Sequence, residues 1–320
     1  MFTLEQSDVQ RMRDQLFFEG PERNRRLTKF WALLVLAAVI AGAGVVADST
    51  ATVIGAMIVA PLMTPILGVV LAIVLTDRAN LGRSLLLVAT GALCVIAIGF
   101  LLGLFVPYGI TAQNNSQVAA RISPRLMDLI AALATGAVGS VALARSDISD
   151  TLPGVAIAIS LVPPLSVVGL TLEAGKLGQA GGALLLFCTN VVAILASGVV
   201  VMGLYRVHRL ATQRAETTRD GRKGAIAAIA VPLSITSRHI SRVNLEISEM
   251  HAVLDPWAEH GGWMVLAVVP TPHGLLARAT GPLPEPSTAE LHNELVREGL
   301  GGVTVRLQLV PAKTVTLNGS

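Results

Sequence analysis

The stretch whose reading decides the fold is Thr50–Leu75, TATVIGAMIVAPLMTPILGVVLAIVL. It is apolar enough for a bilayer interior, yet Pro61 and Pro65 interrupt it. Proline lacks a backbone donor and its ring clashes with the carbonyl four residues earlier, which argues against a continuous helix. The pieces left on either side, Ala51–Ala60 and Ile66–Leu75, have ten residues each. At about 1.5 Å per residue, each covers half of a hydrocarbon core. Backbone groups freed at membrane depth need protein or a water-filled cavity to satisfy them. The sequence therefore predicts a transmembrane element broken near its middle, with polar surroundings at the break.

Outward from that stretch, 52% of the 320 residues are hydrophobic and 14% charged, the balance of an integral membrane protein. Only twelve charged residues fall between Phe30 and Tyr205. The expected layout is an arm over 1–29, a transmembrane domain over 30–206 and a small soluble domain over 207–320. Arg23, Arg25, Arg26 and Lys29 stand directly before Phe30 and Trp31, and Arg206, Arg209, Arg214, Arg219, Arg222 and Lys223 follow the last apolar run. The positive-inside rule places both termini in the cytoplasm. The first 29 residues are too polar for a cleavable signal peptide. In the arm, Val9, Met12 and Leu16 share one helical face, which predicts an amphipathic helix. No aromatic–basic interleaving supports nucleic-acid binding. Cys94 and Cys188 lie inside apolar runs and read as ordinary core residues.

The remaining apolar segments are Trp31–Ala47, Ser84–Val106, one opened by Pro124 and running to about Ala144, Thr151–Leu172, and Gly181–Tyr205. Thr151–Leu172 is TLPGVAIAISLVPPLSVVGLTL and is broken centrally at Pro163 and Pro164. A shift of 99 residues superposes the halves: Asp48 falls on Asp147, Gly55 on Gly154, Ile58 on Ile157, Leu62 on Leu161 and Pro65 on Pro164. The order long span, broken element, long span occurs twice, in a repeat over about 30–108 and another over about 124–206. Paired interrupted segments point to a transporter-type site between repeats. If the broken elements cross, each repeat has three spans and the repeats are inverted; if they re-enter, four spans form parallel repeats. Arg78, Arg83 and Arg145 fall inside only in the crossing arrangement, which the positive-inside rule favours.

Two of these segments carry a resemblance. Ala47–Arg78, ADSTATVIGAMIVAPLMTPILGVVLAIVLTDR, and Pro153–Gly169, PGVAIAISLVPPLSVVG, resemble a family of prokaryotic membrane proteins known as domain of unknown function 389. The resemblance covers roughly residues 20–205, with a looser match in the tail. It implies a multi-pass protein of a prokaryotic plasma membrane, and brings no substrate, reaction or catalytic residue.

Site chemistry must come from the residues. Around the breaks, Pro61, Thr64 and Pro65 stand opposite Ser160, Pro163 and Pro164, and Asn190 is an amide within an apolar span. Asp48 and Asp147, paired by the repeat, sit at segment ends, where caps are the simpler reading. Asp128 lies about one turn into its span, as a pathway carboxylate or as a first-turn carboxylate favoured by the helix dipole. Unwound carbonyls, half-helix ends and hydroxyls suit a small ion or small polar solute. No motif of hydrolysis or nucleotide binding occurs, so no enzyme activity and no cofactor are expected. All six histidines follow the last span without ligand-like spacing, and no metal is expected. Gly99-Phe-Leu-Leu-Gly103 and Gly136-Ala-Val-Gly139 predict close helix packing within or between protomers, and a homo-oligomer is expected.

The tail reads as an α+β domain of order αββαβ: a helix over Ser241–His260, strands Trp263–Val269 and Leu275–Thr280, a capped helix Ala289–Glu298, and strand Val303–Val310. The expected function is transport of a small ion or polar solute between two broken helices. The competing reading is a non-transporting membrane scaffold or sensor whose working part is the tail.

Overall fold

The computed structural model describes residues 6–145, 161–205, 207, 249–271 and 274–312. The chain divides into two compact units, Met1–Ser237 and Arg238–Ser320. The first unit is helical: α1 (Gln6–Leu16), α2 (Arg23–Val46), α3 (Thr50–Val59), α4 (Met63–Leu75), α5 (Arg78–Gly103), α6 (Ser116–Ala119), α7 (Leu126–Ala144), α8 (Val162–Glu173) and α9 (Leu177–Leu204). Helices α2, α5, α7 and α9 are each long and apolar enough to cross a membrane, and α3 with α4 makes a bent pair of similar character. This is a membrane protein.

Side-chain bonds fix which helix ends lie together. At one end of the bundle Arg26 of α2 donates to the carbonyls of Asp14, Gln15 and Phe17 at 2.6, 2.5 and 2.7 Å. There too Arg13 of α1 pairs with Asp77 at 3.1 Å, and Arg83 of α5 with Glu19 at 2.8 Å. At the opposite end Asn115 donates to the Val45 carbonyl at 2.7 Å and Gln117 to the Thr50 hydroxyl at 2.8 Å. Gln179 accepts from the Ala112 amide at 3.0 Å, and Glu173 lies against Gly103. Helix α2 therefore runs from the α1 end to the far end, α3 and α4 return, and α5 runs out again. Helix α7 starts at the far end and comes back, α8 finishes at the far end, and α9 returns beside α7.

The long helices of each half run parallel. Gly91 of α5 faces Leu34 of α2, and Gly42 of α2 faces Leu102 of α5 further along. Likewise Gly136 of α7 faces Ile194 and Ser197 of α9, and Gly198 of α9 faces Ser140 of α7. The second pair runs opposite to the first. Helix α5 makes its most extensive contact with α8. There Gly99 meets the Ser166 backbone, and a Cβ on Gly169 would lie 2.2 Å from the Ile96 carbonyl. Gly99, Gly103 and Gly136, expected to bring helices together, thus do so within the chain.

The break differs in detail from the sequence reading. Ala60 leaves the helix in an extended conformation, α4 starts at Met63, and the two halves are bent by 49°. Pro65 is not part of the break. It sits in the first turn of α4, where its absent N–H would have had no helical partner. Pro163 and Pro164 occupy the same kind of position in α8, so they open that half-helix. Residues 146–160, with Asp147 and Ser160, lie outside the described residues. A bend of 49° carries α4 onward instead of folding it back, and its end at Asp77 reaches the α1 end of the bundle.

Boundaries follow local chemistry. Ser49 caps α3, accepting from the Thr52 amide at 3.3 Å, as its sequence position suggests. Asp77 caps α5 by accepting from the Asn80 amide at 3.1 Å, which starts that helix at Arg78, well before Ser84. Helix α2 begins at Arg23, before the apolar run opens at Trp31, and α7 begins at Leu126, past Pro124.

The second unit comprises α10 (residues 249–260), β1 (Met264–Thr271), β2 (Gly274–Gly281), α11 (Thr288–Arg297) and β3 (Val305–Pro311). The order αββαβ is the one the sequence predicts. The sheet runs β1-β2-β3, with β1 and β2 antiparallel and β2 and β3 parallel across the α11 connection. Its core joins Met250, Leu254, Trp257 and Trp263 to Leu275, Ala277, Ala279, Leu291 and Leu295. Ser287 caps α11, accepting from the Glu290 amide at 3.4 Å.

Glycine packing gives a direct test. Gly169→Ala must push α5 and α8 apart and is expected to destabilise by about 1–3 kcal/mol, the usual cost of overpacking. Gly55→Ala meets open space and is expected to be neutral or mildly stabilising. Thermal unfolding in detergent or nanodiscs compares the two.

Candidate functional site

The break forms one wall of a cavity of about 620 Å³. Helix α3 ends there with Met57 and Ile58, the unwound residues Ala60, Pro61 and Leu62 follow, and α4 contributes Met63, Thr64 and Leu67. Because Pro61 has no N–H, the helical partner of the Met57 carbonyl is missing. The facing wall is Leu161 and Val162, where α8 begins, with Gly139, Ala142 and Leu143 of α7 beside them. Lys29 of α2 and Gln15 and Leu16 of α1 close the side nearest the arm.

The cavity thus takes in two of the breakpoint residues singled out by sequence, Pro61 and Thr64. Pro65 and the fully packed Pro163 and Pro164 support it from the first turns of α4 and α8, buried and one or two residues from the lining. Asn190 is completely buried in α9 and is not among the lining residues. Asp48 and Asp128 lie at the far end of the bundle. The Asp48 carboxylate accepts from the Ser116 hydroxyl at 2.8 Å and the Gln117 amide at 3.0 Å, capping α6. Asp128 accepts from the Arg125 amide at 3.0 Å at the start of α7. Both carry the capping geometry.

Two lining residues, and a buried serine beside a third, escaped the sequence reading. Lys29 was legible only as part of a basic cluster, and Gln15 only as the polar margin of an amphipathic helix. Ser140 follows Gly136 and Gly139 in α7 and drew no notice. Its hydroxyl is fully buried without a hydrogen-bond partner, as is that of Ser166. The hydroxyls of Thr171, Thr189 and Ser197 instead bond the carbonyl one turn back, at 2.7, 2.8 and 3.1 Å. Ser140 adjoins the lining residue Gly139.

Outside the spans, three groups are shifted. Hydrogen bonds from the Ser116 hydroxyl and the Gln117 amide hold the exposed Asp48 carboxyl below its usual range. For Asp77, burial pushes upward, but bonds from Asn80 and the charge and hydrogen bond of Arg13 outweigh it, and the carboxyl is lowered. Burial lowers Arg121, partly offset by the Asp128 charge. Among the described residues no three His, Cys, Asp or Glu side chains cluster as a metal site.

A bundle of membrane-length apolar helices, with a bent helix pair beside a partly open cavity, defines a helical membrane protein. Residues 57–196 match the family described as Domain of unknown function (DUF389). The match includes the α3–α4 break and the start of α8. An uncharacterised protein of Methanocaldococcus jannaschii is 34% identical over 175 residues, covering 55% of this chain and 53% of the relative. The chain thus spans about half the length of that relative. No solved structure matches.

Asp77 provides a pH test. Its carboxyl is lowered in the folded protein, so its contribution is fully present above the ordinary carboxylate range, near pH 4, and is lost as pH falls below that. Thermal stability should decline in that acidic window, and Asp77→Asn should remove that part of the decline while lowering stability at neutral pH.

Proposed function

We propose that this protein transports a small ion or small polar solute across the plasma membrane of a prokaryote. The observation that carries the proposal is that the α3–α4 break and the start of α8 line one cavity. Leu62 and Leu161, one shift of 99 residues apart, and their successors Met63 and Val162 meet there. Half-helix ends and unwound backbone around a pocket with a few polar groups, here Gln15, Lys29 and Thr64, are the arrangement that broken-helix transporters use.

The reading includes two inverted three-element repeats and six crossings, with both termini cytoplasmic. Support comes from the helix directions, with α2 parallel to α5, α7 parallel to α9, and the pairs opposed. It comes also from matched close contacts. Gly99 of α5 packs on α8 near Gly169, and Gly198, its counterpart at the 99-residue shift, packs on Val70 of α4, the counterpart of Gly169. Each third helix thus crosses the second half of the other repeat's broken element. Homo-oligomerisation belongs to the same proposal; with Gly99, Gly103 and Gly136 engaged inside one chain, it would use outward faces, and native mass measurement checks it.

Purified protein in liposomes should pass at least one small ion or solute in a flux screen. Leu62→Trp and Leu161→Trp, which fill the cavity from opposite walls, should each lower that flux by about tenfold or more, consistent with steric loss of a binding position. Undiminished flux in both variants, with the fold intact, would count against this site; absence of flux for every solute would favour the scaffold reading.

A further inference from the structure

Helix α1 does not simply lie on the bundle. Met12, Leu16 and Phe17 are at most 4% exposed, and the helix packs against α4 and α7. Its last turn supplies Gln15 and Leu16 to the cavity wall. Without that turn the pocket would lose its wall on the arm side.

Beside this apolar packing, a small set of charged contacts fixes the end of the helix. The Arg26 guanidinium binds three carbonyls at the end of α1 and stacks over Phe18 at 5.3 Å. Arg13 stacks over Phe17 at 5.2 Å while pairing with Asp77. Glu19 pairs with Arg83, both side chains being substantially exposed at 41% and 56%. All these anchors lie at two places, the start of α2 and the turn between α4 and α5. The second is the outer end of the broken element. The turn after α1 includes Gly20 at a φ of +74°, with open space around it. Few, partly exposed polar anchors beside a glycine turn mark an element drawn from the low-stability end of a structure, as gates are.

We propose that α1 is a lid, a movable wall held in place by the Arg26 clasp and two ion pairs, whose release widens the cavity on the arm side. It deepens the transport reading by naming the gate of that same site and rests on it for its purpose. Access to the cavity, however, is measured independently of flux. Shifting α4 relative to α2 strains the lid's two anchor points against each other, so movement of the broken element and release of α1 are coupled.

The test places a single cysteine on the lining, Thr64→Cys, in the full chain with Cys94→Ala and Cys188→Ala, and follows its reaction with a charged, membrane-impermeant thiol reagent in nanodiscs. Arg26→Gln should raise the labelling rate about tenfold, since it removes a charge-assisted clasp on three carbonyls. Arg83→Glu should raise it by a smaller factor, and adding Glu19→Arg should bring it back, which a merely misfolded variant would not do. An unchanged rate in Arg26→Gln, or no return in the charge-swapped pair, overturns the lid. Labelling that responds while no solute is transported keeps the lid and removes the transport reading; flux with unresponsive labelling does the reverse.

Discussion

One missing hydrogen-bond donor governs this bundle. Pro61 cannot bond the turn before it, so the chain cannot cross apolar surroundings there as a plain helix. The described residues answer that deficit collectively. Ala60 extends, α4 restarts at Met63 with Pro65 in a harmless first-turn position, and neighbouring helices leave a cavity beside the freed backbone. The start of α8, the glycine-bearing segment of α7 and the end of α1 are all placed by the need to surround that gap without filling it.

Close packing supplies the rigidity that such a gap needs. In apolar surroundings helices gain little from burying hydrophobic side chains, so contact distance and dispersion matter more. Gly99 and Gly169 let α5 and α8 approach backbone to backbone, and Gly136 does the same for α7 against α9. The lone bonds of Asn115 and Gln117 to the end of α2 and the start of α3 then fix the far end, while Arg26, Asp77 and Arg83 fix the other.

Much of this was legible in the chain itself. Charge segregation gave the membrane region, and periodic turn and strand patterns gave the αββαβ order of the tail. Proline and capping positions located the broken element to within a turn. What escaped has a common cause: local sequence shows that a proline interrupts a helix but not which proline falls at a tolerated first-turn position. That is why Pro65 read as part of the break when it sits in the first turn of α4. The cavity's composition escaped too, because Lys29 and Gln15 come from elements whose sequence signature speaks only of membrane orientation and amphipathicity. Asp48 and Asp128 cap helices at the far end, the simpler of the roles their sequence positions allowed.

The contact between α5 and α8 has a consequence for biosynthesis. Helix α5 leaves the ribosome more than fifty residues before α8, yet α8 is the surface it packs against most extensively. The narrow groove at Gly99 must therefore wait, lined by lipid or a chaperone, until the second half of the bundle is inserted. Neither half can mature alone, and quality control of the nascent protein has a defined interval in which an unfilled glycine groove marks it as incomplete.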